Sequence, residues 1–100
     1  MRDELFERIR NKYRSRAVEI TPNRYTMQIE IGGRIFTIWL YQSSVGYWEG
    51  PNWIEEFCVD VSCFELGQVQ SKYFKGYDVD VLEIQLFKEI SRALRYLLGD

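Results

Sequence analysis

The sequence predicts an α+β domain: an antiparallel sheet of three to five strands with an N-terminal helix and a C-terminal helix packed on it. Three observations carry this prediction. Apolar residues recur at helical spacing at both ends of the chain, they alternate at strand spacing in the middle, and a Gly-Gly pair joins two of the alternating runs. With 100 residues and 46% hydrophobic content, the chain suits one domain, 1–100, built around one core.

The first element is predicted as a helix over residues 2–14. Leu5, Phe6, Ile9 and Tyr13 recur at spacings of three and four, which puts them on one face. A short strand is expected over 16–21, followed by a turn at 21–23. The first 24 residues carry seven basic and four acidic side chains, whereas the remainder carries six basic and eleven acidic ones, so a basic start precedes an acidic body.

The clearest prediction is a hairpin around Gly32 and Gly33. Apolar and polar residues alternate before the pair, and β-branched and aromatic residues follow it as far as Tyr41. A two-residue type I′ turn needs positive φ at both positions, which glycine supplies, and it fixes the register of the strands. The expected core-face pairs are Ile31 with Arg34, Ile29 with Phe36, Met27 with Ile38 and Tyr25 with Leu40.

The segment 42–52 is rich in Ser, Gly, Pro and Asn and is predicted to be a loop. A further strand is expected over 54–64, with Phe57 and Cys58 on opposite faces. Residues 65–77 are ambiguous, because Gly67 and Gly76 bracket what could be one more strand.

The C-terminal helix has strong boundary signals. Asp80 is the expected N-cap, Glu83 completes a capping-box pattern, and Val79 and Ile84 occupy the positions of a hydrophobic staple. Gly99 is the expected residue after the helix end. The apolar face of this helix is wide, and an open antiparallel sheet has edges, so a homodimer is expected.

The residue types argue against most enzyme classes. The chain has no histidine, which removes the commonest general base and the commonest transition-metal ligand. Cys58 and Cys63 are five residues apart, so on one strand they face opposite sides and do not pair with each other. Two free thiols fit a reducing compartment, and a cytoplasmic location is expected.

No sequence motif points to a cofactor or a membrane. Phosphate-binding glycine patterns and calcium-loop patterns are absent, so neither a cofactor nor a metal is expected. No run approaches the ~18 apolar residues that a membrane span requires. Residues 1–8 contain no continuous apolar stretch, so a signal peptide is not expected and a membrane partner is not either.

The candidate binding residues are aromatic. Trp and Tyr side chains are enriched at protein interfaces, because each offers a large contact area and one polar group. The set predicted to bind a protein partner is Trp39, Tyr41, Tyr47, Trp48 and Trp53. The alternative for the same residues is an ordinary cluster that closes one end of the sheet. The function predicted on this basis is that of a non-enzymatic accessory, regulatory or inhibitor module, of the kind common in microbes and their viruses.

Two further functions stay open. Nucleic-acid binding would use phosphate contacts from the basic first helix, although acidic residues are interspersed with the basic ones. Its candidate residues are Arg8, Arg10, Lys12, Arg14 and Arg16. The third possibility is a small-ligand binder or a carboxylate-based enzyme that uses Glu56 and Asp60 together with the aromatic residues.

Overall fold

The computed structural model describes residues 1–20 and 25–99 and has the predicted α+β arrangement. The turn predicted at 21–23 lies outside the described residues. A short 3-10 turn, Arg14–Arg16, follows the first helix. The elements are α1 (Arg2–Tyr13), β1 (Ala17–Ile20), β2 (Thr26–Ile31), β3 (Arg34–Glu49), β4 (Asn52–Cys63), β5 (Gln68–Gly76) and α2 (Val79–Leu98). The five strands lie in chain order, and each is antiparallel to its neighbours.

The hairpin between β2 and β3 has the predicted register. Ile29 lies opposite Phe36, and the N–H of Leu40 donates to the carbonyl of Tyr25 at 3.0 Å. Gly32 and Gly33 have φ values of 59° and 78°, so both adopt the left-handed conformation that a type I′ turn requires. The turn therefore decides which residues of β2 and β3 face the core.

Both helices cover the same face of the sheet, and the core lies between them and it. Alternate residues of the strands point to this side, as the period of two requires. The buried core of the strands consists of Met27, Ile29, Phe36, Ile38, Leu40, Phe57, Val59, Val61, Cys63 and Phe74. The helices contribute Leu5, Phe6, Ile9, Tyr13, Leu82, Leu86, Ile90, Ala93, Leu94 and Leu97. Neither α1 nor α2 covers the opposite face of the sheet.

Arg8 joins the two helices. Its guanidinium lies 2.7 Å from a carboxylate oxygen of Asp80, 2.7 Å from one of Glu83 and 3.1 Å from one of Glu4. The hydrogen bond to Asp80, together with the neighbouring carboxylates, raises the pKa of Arg8 above its ordinary value. This cluster fixes the position of α1 beside the first turns of α2.

The predicted start of α2 is wrong by two residues. Asp78, not Asp80, is the N-cap: its carboxylate accepts hydrogen bonds from the backbone N–H groups of Asp80 (2.8 Å) and Val81 (3.3 Å). Asp80 and Glu83 bind Arg8 instead of forming a capping box, and Ile84 is 69% exposed rather than part of a staple. The predicted end is confirmed, since Gly99 follows the helix with φ 83°.

The predicted loop over 42–52 is also wrong. β3 continues to Glu49, the chain turns at Gly50 and Pro51, and β4 begins at Asn52. Extra residues in β3 interrupt the register between Gln42 and Tyr47, so two bulges take up the serine- and glycine-rich stretch. The ambiguous segment becomes the edge strand β5. Within the described residues, no helix is long and apolar enough to cross a membrane.

We expect the Asp78→Ala variant to lose about 1 kcal/mol of unfolding free energy, because two backbone N–H groups of α2 would lose their acceptor. Urea denaturation followed by circular dichroism measures the loss. Asp80→Ala is the matched control for the cap: its effect should depend on salt, since it removes an exposed ion pair. Equal and salt-dependent losses in both variants would contradict the assignment of Asp78 as N-cap.

Candidate functional site

The uncovered face of the sheet, called the open face here, is formed by the strand residues that alternate with the core. The register sets them in rows across β2 to β5. One row contains Thr26, Trp39, Asp60 and Ser71, the next contains Gln28, Thr37, Ser62 and Val69, and a third contains Tyr41, Cys58 and Tyr73. Three strands thus contribute apolar or aromatic side chains to a surface that the helices leave uncovered.

Trp39 and Tyr41 form the centre of the open face. Their rings are tilted against each other with centroids 4.6 Å apart, and Trp39 is 42% exposed although it lies on an internal strand. Asp60 occupies the register position beside Trp39 on β4. A shallow depression of about 310 Å³ is lined by Trp39, Asp60 and their neighbours Thr26, Thr37, Ser62 and Val69. The depression combines one indole face with a carboxylate and several hydroxyl groups.

Cys58 lies fully buried between Tyr41 and Tyr73. Burial is the largest influence on the thiol, and it raises the pKa of Cys58 above its ordinary value. The thiol donates to Asp60 at 3.5 Å, and the contact with Cys58 raises the pKa of the Tyr41 hydroxyl. The protonated thiol is therefore the favoured form of Cys58 within this aromatic surface.

We expect Cys58 and Cys63 to resist an aromatic disulfide reagent at neutral pH in the folded protein, since both thiols are free and buried. Absorbance of the released chromophore should show two reactive thiols per chain only after urea is added. Rapid labelling of either cysteine in the folded protein, with the far-ultraviolet circular dichroism unchanged, would contradict the burial.

Beyond Tyr41, β3 and β4 extend past the end of β2, with β5 still paired to β4 as far as Glu55. From Tyr47 and Ile54 to the turn they continue as a two-stranded ribbon, which contributes to the molecule's length of 46 Å. At its base, the Ser44 hydroxyl donates to Glu56 at 2.9 Å and the Lys75 ammonium donates to the Tyr47 hydroxyl at 3.3 Å. The contact with Tyr47 raises the pKa of Lys75. These side chains continue the open face along the ribbon.

The tip of the ribbon carries a cross-strand tryptophan pair. Trp48 lies opposite Trp53, with ring centroids 5.4 Å apart in an edge-to-face arrangement. Trp48 is 68% exposed and Trp53 is 39% exposed. The six-membered ring of Trp53 covers Gly46, where an added Cβ would lie 2.6 Å from two ring carbons. The missing side chain at Gly46 therefore makes room for Trp53.

The five predicted aromatic residues thus fall into three groups. Trp39 and Tyr41 lie against each other on the open face, and Tyr47 lies at the base of the ribbon. The tryptophan pair occupies the other side of the ribbon tip, because β4 runs without a bulge from Trp53 to Phe57, so Trp53 shares the core side with Phe57. Sequence reasoning missed Tyr73, which is 70% exposed on β5 beside Cys58. The alternation of Val69, Ser71 and Tyr73 was the signal that could have placed it.

The basic residues of the first helix are largely engaged within the chain. Besides Arg8, Arg10 pairs with Glu7 at 3.0 Å and lies over the ring of Phe6, and Lys12 lies over the ring of Phe87. Arg14 and Arg16 are exposed on the turn after α1. The five candidates therefore do not form one free basic strip, although nucleic-acid binding stays a prediction.

The carboxylates of the third hypothesis lie on one face, as their even spacing requires. Glu56 and Asp60 flank Cys58 on β4, and Ser44 and Cys58 donate to them. Among the described residues, no group of three or more Cys, Asp and Glu side chains is arranged to hold a metal ion. The arrangement places hydrogen-bond acceptors and negative charge on the open face.

No protein family matches this sequence, and no curated protein or solved structure is significantly similar to it. The residues of the open face and the ribbon are therefore the basis for a functional assignment.

We expect Gly46→Ala to displace Trp53, because the new methyl group would overlap its ring and the carbonyl of Ile54. Coupled indole transitions give a pair of circular dichroism bands of opposite sign, and this pair should disappear in the variant. Val45→Ala, at the adjacent 87% exposed position, is the control that should retain it. An unchanged couplet in Gly46→Ala would show that the ring does not cover Gly46.

Proposed function

We propose that this chain is a non-enzymatic binding module whose open face holds a cationic segment of a partner protein. One observation carries the proposal: the exposed ring of Trp39 lies against the half-buried ring of Tyr41, beside the carboxylate of Asp60, on a sheet face that neither α1 nor α2 covers. Its two free, buried thiols suit the reducing cytoplasm, where we propose that the module acts.

The chemistry of this surface favours a positive ligand. Indole and phenol rings attract an ammonium or guanidinium group through their faces, by roughly 0.5–2 kcal/mol depending on solvent exclusion. Asp60 adds a negative charge beside the indole, and Glu30 and Glu56 lie further along the same face. Of the described side chains on the open-face positions of β2 to β5, Lys75 is the one with a positive charge, and it donates to Tyr47.

The same charges weigh against a nucleic-acid ligand at this surface. A backbone-tracking groove combines stacking aromatic rings with Lys and Arg, which neutralise phosphates. Here the aromatic rings are accompanied by carboxylates, which repel a phosphate backbone. A lysine or arginine side chain from a partner protein meets both features, since its stem can lie along Trp39 while its charge approaches Asp60.

The test uses the immobilised chain and a displayed library of random peptides, with nuclease present throughout. Selected peptides are expected to be enriched in Lys and Arg. Binding of the best peptide should weaken at least tenfold in Trp39→Ala and Asp60→Asn, because these changes remove the ring face and the charge. Affinity is measured by isothermal titration calorimetry.

Trp48→Ala is the matched control, because it removes an indole of greater exposure on the other side of the ribbon. Its affinity should equal that of the unmodified chain. Peptides without basic residues, or equal affinity in Trp39→Ala, would overturn the proposed site. A loss in Trp48→Ala alone would transfer the binding function to the tip of the ribbon.

A further inference from the structure

The outer edge of β5 is a second candidate interaction surface, and its backbone groups can be assigned individually. In an antiparallel sheet, successive residues direct their N–H and C=O groups to opposite sides of the strand. The bond from Leu40 to the carbonyl of Tyr25 shows that the even residues of β3 from 34 to 40 bond to β2. The odd residues 37, 39 and 41 therefore bond to β4.

The same alternation continues from β3 through β4 to the edge strand β5, because no register shift interrupts the pairings of residues 37–41 with β4 or of β4 with β5. Trp39 lies opposite Asp60, so the even residues of β4 bond to β3 and its odd residues bond to β5. Val61 lies opposite Gln70, so the even residues of β5 bond to β4. The N–H and C=O groups of Val69, Ser71 and Tyr73 consequently point outward from the edge.

One contact verifies the outward direction and limits the free segment. The carbonyl of Lys75, two residues beyond Tyr73, accepts a hydrogen bond at 3.1 Å from the side-chain amide of Gln85 on α2. Helix α2 thus caps the edge at Lys75. The row from Val69 to Tyr73 stays open, and the side chains of Val69 and Tyr73 are 58% and 70% exposed.

We propose that this row pairs with the same row of a second copy of the chain, antiparallel and centred on Ser71. The two-fold axis would set Ser71 opposite Ser71 and Val69 opposite Tyr73, with outward backbone groups meeting at each of these positions. On the other face, Gln70 would lie opposite Lys72. A five-stranded sheet would become a continuous ten-stranded one.

The pairing of side chains favours a second copy in this register. An aromatic and a β-branched residue are a favourable cross-strand pair, and no like charges lie directly opposite each other. A centre at Lys72 would set two lysines opposite each other. A centre at Tyr73 would require the carbonyl of Lys75, which Gln85 occupies. The other edge strand, β1, has four residues and a bulge, so it offers a shorter row.

This pairing is independent of the partner-binding proposal but has a consequence for it. A two-fold axis perpendicular to the sheet leaves both open faces on the same side. Two Trp39–Tyr41 sites would then be presented in one direction, which suits a partner with two basic segments.

The test substitutes Ser71, because in the proposed dimer this residue lies on the two-fold axis and faces Ser71 of the second copy. The unmodified chain should show a mass near 24 kDa, twice 12.0 kDa, by light scattering at close to millimolar concentration. Ser71→Lys and Ser71→Asp should each remain at the monomer mass, since each places like charges opposite each other. An equimolar mixture of the two variants should recover the dimer mass.

Gln28→Lys, on the same face but on β2, is the control that should remain dimeric. Circular dichroism confirms that each variant is folded. A monomer mass for the unmodified chain at every concentration would overturn the proposal. Dimers in both single variants, or a mixture that stays monomeric, would overturn the register centred on Ser71. Trp39→Ala should leave the mass unchanged, so this test and the peptide test fail independently.

Discussion

The two helices cover only one face of the sheet, and the other features of this protein depend on this constraint. Two amphipathic helices are enough to bury the alternating apolar residues of β2, β3 and β4 on one side. Nothing in the described chain is left to cover the other side. The strand register therefore determines which side chains are buried and which face solvent. A shift of β3 by one residue would place Thr37 in the core and Phe36 on the open face.

The chain secures that register by local means. Gly32 and Gly33 close the first hairpin with two residues in the left-handed conformation, and the pairing of β3 with β4 extends the alternation to β5. A long-range cluster joins the helices above the core: Arg8 of α1 pairs with Asp80 and Glu83 of α2, and also with Glu4 in its own helix. With the core side fixed in this way, the aromatic residues that alternate with it lie on the open face, where Trp39 and Tyr73 are exposed and Tyr41 is half-buried.

The open face differs from an ordinary polar sheet surface in its composition. A half-buried antiparallel sheet normally presents polar residues to water. Here an indole and two phenols lie around a buried thiol, and carboxylates lie beside them. Among the described open-face positions of β2 to β5, Lys75 has the one positive charge. Exposed aromatic surface with polar groups around it is typical of interaction sites, and for this reason it is the basis of the proposed function. The free row of β5 adjoins this face, so the two proposed interactions could operate together.

The sequence by itself determined the helices, the first hairpin with its register, and the opposite faces of Cys58 and Cys63, because these features follow from local periodicity and turn chemistry. Only the tertiary structure decided where α2 begins, since the pairing of Asp80 with Arg8 involves a residue 72 positions away. It also decided that 42–52 forms a ribbon. Pairing with β4 and the packing of Trp53 on Gly46 outweigh the loop propensity of serine and glycine there. The division of the aromatic residues among three places likewise depends on the bulges, which no local pattern reveals.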